Sequence, residues 1–267
     1  MKIFDCVTFF EEERLMNLRF NILNPYVEKF IICEGSYDHR GRKKRINFNK
    51  NKFPEFKNKI IHTICGRFPK NLNPWERQAF QREHLLKSLS VANDEDYIMF
   101  SDPDEIPNPK KLKNFNLNKK YGIFLQNLFY YKLNLQDIKL GCNWEGTRIC
   151  KKKYLKSINY MRQKVLKKNL KYNFWRIDKE KNIELIQNGG WHFSYLLKPQ
   201  EIQKKIQTFA HTEFDKKIYT NLKNINHCIK NGLDLFKRNI FYKKIKINKS
   251  YPKFIIENKK NLKKWIA

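Results

Sequence analysis

The sequence predicts an α/β fold with a mostly parallel central sheet and helices on both faces. Three observations predict it. Short apolar runs alternate with longer amphipathic stretches over the first hundred residues, a β-α-β-α-β rhythm. Hydrophobic residues make up 41% of the chain and aromatics 15%, enough for a real core, so global disorder is ruled out. The 267 residues fit one generous domain or two small ones.

Each element follows in order. Residues 3–10 are apolar and aromatic and read as a buried strand. Residues 12–23 read as a helix, with Leu15, Leu18, Ile22 and Leu23 near helical spacing and Asn24-Pro25 as its stop. Residues 29–33 (KFIIC) form a short buried strand that ends at Glu34-Gly35, and the polar 38–45 stretch is a loop. Residues 59–65 are a third strand and 66–74 a loop. A helix is expected over 75–89, with Pro74 at its start. Residues 96–100 (DYIMF) form a fourth strand that runs straight into Ser101-Asp102-Pro103-Asp104-Glu105-Ile106-Pro107. The middle is more β-like, with strands expected over 121–135, 147–154 and 190–197. Helices are expected over 199–211 and 214–231. There is no internal repeat and no low-complexity linker, so 1–236 reads as one domain and 237–267 as a basic extension packed on or beside it.

Lys and Arg number 56 and Asp and Glu 26, a formal charge of +30. Nucleic-acid binding, a peripheral grip on anionic lipid, and simple compositional bias each account for such an excess. Its distribution is more informative. Residues 151–171 hold nine basic residues and no acid, and 237–267 hold eleven basic residues against Glu257 alone. Six acids, by contrast, crowd one stretch: Asp94, Glu95, Asp96, Asp102, Asp104 and Glu105. Concentrated carboxylates point to a cation site more than to a nucleic-acid groove. Six scattered cysteines without a C-x-x-C pair argue against a zinc ribbon or a thioredoxin-type site and fit free thiols in a reducing cytoplasm. No apolar run approaches the roughly 20 residues of a membrane-spanning helix. Asp5 stands where a signal peptide would be apolar, so a cytoplasmic protein is expected.

Asp102 and Asp104 stand at the expected C-terminal end of a buried strand, the edge where ligands bind in open α/β sheets. Two carboxylates one residue apart can share a hard cation that keeps open positions for phosphate oxygens. Pro103 stiffens the turn between them. The plain alternative is an acidic turn that caps the next helix. Arg77 and Arg82 on the preceding helix could stabilise a departing diphosphate, or pair with Glu76 and Glu83 on the surface. A second constellation is Asn188-Gly189-Gly190-Trp191-His192-Phe193-Ser194-Tyr195. Its glycines allow close backbone approach, and its aromatics offer faces for a base or sugar. His192 could complete a metal site, contact the diphosphate, or be a satisfied core histidine.

These residues carry a resemblance to glycosyltransferase family seventeen, whose animal member adds the bisecting N-acetylglucosamine of N-glycans. Four blocks bear it: 5–12 with Arg19 downstream; 30–34; Trp75-Glu76-Arg77 through Arg82 to 101–107; and 189–195. Weaker likeness continues through Lys205, 209–211 and 251–254. Arg14 and Asn17 depart from the acids common in the family at those positions. The resemblance implies a GT-A type, Rossmann-like single domain with a helical C-terminal part. It implies a UDP-sugar donor, foremost UDP-N-acetylglucosamine, with Mn²⁺ or Mg²⁺ and inversion at the anomeric carbon. Asp104 would ligate the metal with His192, and Asp102 would contact ribose or the metal through water. Phe9, Glu12, Glu34, Arg77, Arg82, Asp102 and Trp191 would border the donor. The catalytic base is expected at Glu145, then Glu105, with Glu213 behind them. The expected acceptor is a glycan or glycolipid, with peripheral contact to the inner face of an anionic membrane and no nucleic-acid partner. The alternatives are a transferase of glucose, galactose or mannose, and a non-catalytic basic binder of nucleic acid or anionic lipid.

Overall fold

A computed structural model describes residues 1–267. The apolar run IFDCVTF forms β1 (Ile3–Phe9), buried on both sides. It is followed by α1 (Glu13–Leu23), β2 (Lys29–Gly35), β3 (Ile60–Cys65), α2 (Pro74–His84) and β4 (Tyr97–Ser101). Then come β5 (Glu105–Pro107), β6 (Tyr121–Tyr130), β7 (Leu135–Asp137), β8 (Trp144–Lys151) and α3 (Ile158–Gln163). The chain finishes with β9 (Ile183–Ser194), α4 (Pro199–Thr208), α5 (Lys217–Thr220), α6 (Leu222–Asn231), β10 (Tyr242–Lys244) and α7 (Lys253–Glu257).

One sheet runs in the order β10-β7-β6-β8-β4-β1-β2-β3, with β9 joined to β6 and to β5. The fold is mixed α/β, as expected, and the sheet is mixed, with long parallel pairings and shorter antiparallel ones. The strand pairs β4-β1, β1-β2, β2-β3 and β6-β9 are parallel, and β8, β7, β10 and β5 add antiparallel pairings. The parallel half is the part that the β-α-β rhythm describes. Helices cover both faces of that half. Ile3, Val7 and Phe9 of β1 pack with Leu15, Leu18 and Phe20 of α1, whereas Phe4 and Cys6 face Leu85 and Leu89. Alternation along one strand thus feeds two cores.

Several element bounds differ from expectation for local reasons. The helix over 75–89 is α-helical only to His84 and continues as 3-10 turns over Leu85–Val91. Its start is fixed by a capping box, in which the Asn73 side chain accepts from Glu76 N and the Glu76 carboxylate accepts from Asn73 N. The helix over 214–231 is divided into α5 and α6, because Asn221 turns out of helix and caps α6. Gly232, in the left-handed region at φ 64°, ends it. β9 begins at Ile183 rather than 190, since polar Glu184, Gln187 and Asn188 mask its first half.

Residues 237–267 are woven into the fold. β10 pairs with β7 at the sheet edge, and Ile247, Tyr251, Ile255 and Trp265 join the core beside α1. Leu133 N donates to Trp265 O at 2.8 Å. All six cysteines are free thiols. No helix is long and apolar enough to cross a membrane.

Candidate active site

A cleft of about 460 Å³ opens at the C-terminal ends of β1, β2 and β4. Thr8 and Phe9 from β1, Gly35 from β2, and Asp102 and Asp104 just beyond β4 line it. This is the edge at which helices and loops can converge on a ligand without breaking the sheet.

The acidic turn is set by its own hydrogen bonds. Glu105 N donates to Asp102 O at 3.0 Å, and the Glu105 carboxylate accepts from Asp102 N at 3.1 Å. A buried ion pair holds the turn from beneath. Arg19 of α1 donates to both oxygens of Asp5 at 2.6 Å and sends its remaining arm to Glu105 O, also at 2.6 Å. Neither side chain is exposed. β5 then pairs with β9 so that Glu105 faces His192 across the ladder. Gly190 makes this possible, because a Cβ there would collide with Ile106 O and its φ is 138°.

That pairing delivers His192 to Asp104, with Nε2 3.3 Å from Oδ1. From α4, Lys205 Nζ lies 3.7 Å from Asp104 Oδ2 and 3.4 Å from Glu12 Oε1. Burial alone would raise the Asp104 carboxyl, but His192 and then Lys205 hold it well below the usual carboxylate range. Asp102 has different partners. Arg82 of α2 reaches one oxygen at 3.3 Å, and Arg162 of α3 reaches the other at 2.6 Å. Against the cost of burial, Arg162 and then Arg82 keep Asp102 ionised to lower pH than an ordinary aspartate.

Arg162 is the hub. It also meets both oxygens of Glu105, at 2.8 and 3.2 Å, and the Gly146 carbonyl at 3.0 Å. Burial disfavours its charge, yet Asp102 and Glu105 together raise its pKa above the arginine norm. Behind it, buried Arg148 has its pKa lowered to about 10 by burial and by the charge of Arg162.

The other side of the cleft is aromatic. Tyr130, Tyr195, Phe214 and Phe236 line it with Arg238. Phe214 and Phe236 lie 4.2 Å apart at their ring centres, and Tyr195 and Phe236 lie 5.8 Å apart. Arg238 sits over Phe236 and Tyr130 and is anchored by Asp234 at 2.7 Å.

Phe9, Glu12, Arg82, Asp102, Asp104 and His192 therefore come together at one cleft. Other residues expected there are placed elsewhere. Glu34 is fully buried under the 44–48 loop, where it accepts from Lys44 Nζ at 2.5 Å, Asn47 N at 2.8 Å and Phe48 N at 2.9 Å. Arg77 donates to His39 O at 3.2 Å and braces the 38–45 loop. Trp191 is a core side chain, 5% exposed. Glu145 pairs with Arg148 at 3.3 Å and caps Lys167 N at 2.9 Å. Glu105 has no exposure, and its oxygens are spent on Arg162, Trp144 Nε1 and Asp102 N. Glu213 is exposed and pairs with His211 at 2.7 Å. None of the three expected base candidates lines the cleft. Sequence reasoning missed Arg162, hidden in a run of lysines, and the aromatic wall, whose members are far apart in the chain.

The donor set bears on the expected divalent cation. No three His, Cys, Asp or Glu side chains converge, and both oxygens of Asp102 are engaged by guanidinium groups. Asp104 and His192 are the neighbouring pair that a cation would use, in place of the contact of 3.3 Å that they make with each other, and His192 Nδ1 is buried without a partner. Such a pair suits a cation that takes most of its oxygens from a substrate's phosphates.

Comparison with known proteins agrees with the enzyme reading. No curated protein matches the chain. Among solved structures, HddC from Yersinia pseudotuberculosis is similar at 8% identity and a TM-score of 0.40, over 72% of this chain and 91% of that one. The inositol-1-phosphate CTP transferase from T. maritima is similar at 11% identity and a TM-score of 0.29, over 88% and 98%. Likeness this distant says nothing about activity. The model of glycosyltransferase family 17 matches residues 1–252, a span that includes the whole acidic turn, the hub arginine and the aromatic wall, so the chain belongs to glycosyltransferase family 17 and is a glycosyltransferase.

Proposed function

We propose that the protein transfers a sugar, foremost N-acetylglucosamine, from a UDP-sugar to a hydroxyl of a glycan or lipid-linked glycan, with inversion. The observation that carries this is the convergence of Arg82, Arg162 and Lys205 on two aspartates at the C-terminal edge of the parallel strands. Fixed cations in a partly dry cleft stabilise charge that builds on a diphosphate as it leaves. The acceptor oxygen attacks the anomeric carbon from the face opposite the diphosphate. The bond from that carbon to the diphosphate oxygen breaks, and its electron pair departs with the nucleotide. The hydroxyl proton passes to a cleft carboxylate, and those within the cleft are Glu12, Asp38, Asp102 and Asp104.

A divalent cation would be held by Asp104 and His192, and it would supply positive charge beside the diphosphate. In this reading Asp102 acts through Arg82 and Arg162, which it orients toward the cleft. Glu105 positions Arg162 and Trp144 rather than moving a proton. The aromatic wall supports a ring-shaped acceptor, since sugar C–H faces pack on aromatic rings while hydroxyls stay wet.

A screen of UDP- and GDP-sugars with mass detection of released nucleotide, with and without Mn²⁺, tests the reading. Release from UDP-N-acetylglucosamine that Asp104→Ala abolishes is the expected result. Release from a GDP-sugar alone, or activity unchanged in Asp104→Ala, would overturn the donor or the site.

A further inference from the structure

The most exposed apolar side chains of the molecule are not at the cleft. Residues 170–178 form an unbroken exposed stretch between α3 and β9. Within it Phe174 is 86% exposed, Trp175 61% and Ile177 95%. Isolated surface hydrophobes need no explanation, but three exposed ones within four residues do.

This loop has a built shape. The Lys181 ammonium sits inside it and donates to the carbonyls of Asn173 at 2.6 Å, Phe174 at 3.1 Å and Arg176 at 2.9 Å. With those carbonyls gathered on one cation, the neighbouring apolar side chains are left on the outside. Phe174 and Trp175 meet edge to face at 5.1 Å. Asn169 fastens the base of the loop, with its amide donating to Lys164 O at 2.7 Å and Glu180 O at 3.1 Å. Around the apolar tip the net charge is positive. Residues 164–181 carry seven Lys and Arg against Asp178 and Glu180, and Asp178 is already paired with Arg176 and Lys179.

We propose that this loop is a membrane-docking finger that inserts Phe174, Trp175 and Ile177 into the interface of an anionic bilayer. Trp and Phe favour the headgroup level, and a ring of lysines adds attraction to anionic lipid. Single-stranded nucleic acid also binds aromatic and basic surfaces. Here, however, the two rings are perpendicular rather than open for parallel stacking, at 78°, and the most exposed residue, Ile177, has no π-face. An acyl boundary matches that composition better than bases do.

The test uses the full chain and two vesicle types, phosphatidylcholine alone and phosphatidylcholine with about 30% phosphatidylglycerol. Co-sedimentation at about 150 mM salt is expected only with the anionic vesicles. The Phe174→Ser/Trp175→Ser/Ile177→Ser variant is expected to partition at least about tenfold more weakly. Its thermal unfolding should match that of the parent, because the side chains it loses are exposed. The single Trp175→Ser change provides a milder variant with a smaller loss of the same kind. Three outcomes would overturn the proposal. They are failure of the parent to bind anionic vesicles, equal binding by the triple variant, and self-association or oligonucleotide binding that the triple variant loses while vesicle binding persists. Nucleotide release by the cleft is a separate readout, so failure here leaves the transferase reading intact.

Discussion

On the floor of the cleft, Asp102 meets two guanidinium groups at 3.3 and 2.6 Å, while Asp104 meets an imidazole at 3.3 Å and an ammonium at 3.7 Å. On the wall, Phe214 and Phe236 lie 4.2 Å apart, and Tyr130 is backed by buried Tyr242, stacked 4.4 Å away at an angle of 8°. The floor is a set of charges held at fixed positions by a scaffold of other charges, and that scaffold reaches down to the Asp5–Arg19 pair. The wall is a set of surfaces held by packing. A diphosphate offers a few localised charges, which the floor can meet. A sugar ring offers broad, weakly polar faces, which the wall can meet. Under the proposed function the difference divides one cleft into a donor half and an acceptor half, and each half should fail in its own way when it is cut.

Cutting the scaffold should have the largest effect. Asp5→Ala leaves Arg19 buried with no carboxylate and releases the support under Glu105 O. A broken buried pair costs about 3–5 kcal/mol. Urea unfolding should show a loss of that size, and a loss below about 1 kcal/mol would mean that the pair does not hold the floor.

Cutting the hub comes next. Arg162→Ala removes the donor facing Asp102 and Glu105, and turnover should fall by about 10²–10³-fold, as for other fixed stabilisers of developing charge. Steady-state kinetics should show that fall in kcat. A rise in KM alone would assign Arg162 to ground-state binding.

Cutting the wall should be gentler and should strike the other substrate. Phe214→Ala is expected to raise the KM for acceptor by about tenfold, near 1.4 kcal/mol, while donor hydrolysis in the absence of acceptor stays unchanged. Equal loss in both readouts would erase the division into halves.

The smallest effect concerns the anchor of Arg238. Burial pushes the Asp234 carboxyl up, but hydrogen bonds from the Arg238 side chain and backbone outweigh it and hold it below the usual range. A folded pKa below the unfolded value contributes stability that is complete above about pH 4 and is lost as pH falls through the lowered value. Thermal unfolding from pH 7 downward should show a shallower acid loss in Asp234→Asn than in the parent. An identical acid limb would show that the pair contributes nothing measurable.

What the sequence made legible divides along the same line. β1, β2 and β4 announce themselves because strands buried on both faces must be largely apolar, while the half-buried edge strand β3 is marked by its β-branched residues. The acidic turn is legible because it follows such a strand directly. β5 is three residues long and carries no periodicity, so nothing in the spacing gives the β5-β9 register, and only the family resemblance put His192 beside Asp104. Arg162 is one cation within a run of nine, and nothing local separates it from the solvated lysines beside it. Glu34 and Trp191 lie in the blocks that resemble the family, yet burial turns both inward. The wall draws on Tyr130, Tyr195 and Phe236, which only the folded chain brings together. The charge of +30 dominates the composition, yet the cleft relies on a few cations matched to acids, and none of the basic residues of 164–181 lines it.

Recognition of a diphosphate by the floor is the central claim, and a titration series measures it directly. Calorimetric binding of uridine, UMP and UDP to the full protein should show affinity rising with each phosphate, by about tenfold or more per step. The gain should weaken as salt rises and should shrink in Arg162→Ala. Uridine binding as tightly as UDP, or a phosphate-dependent gain that survives the loss of Arg162 in full, would contradict it.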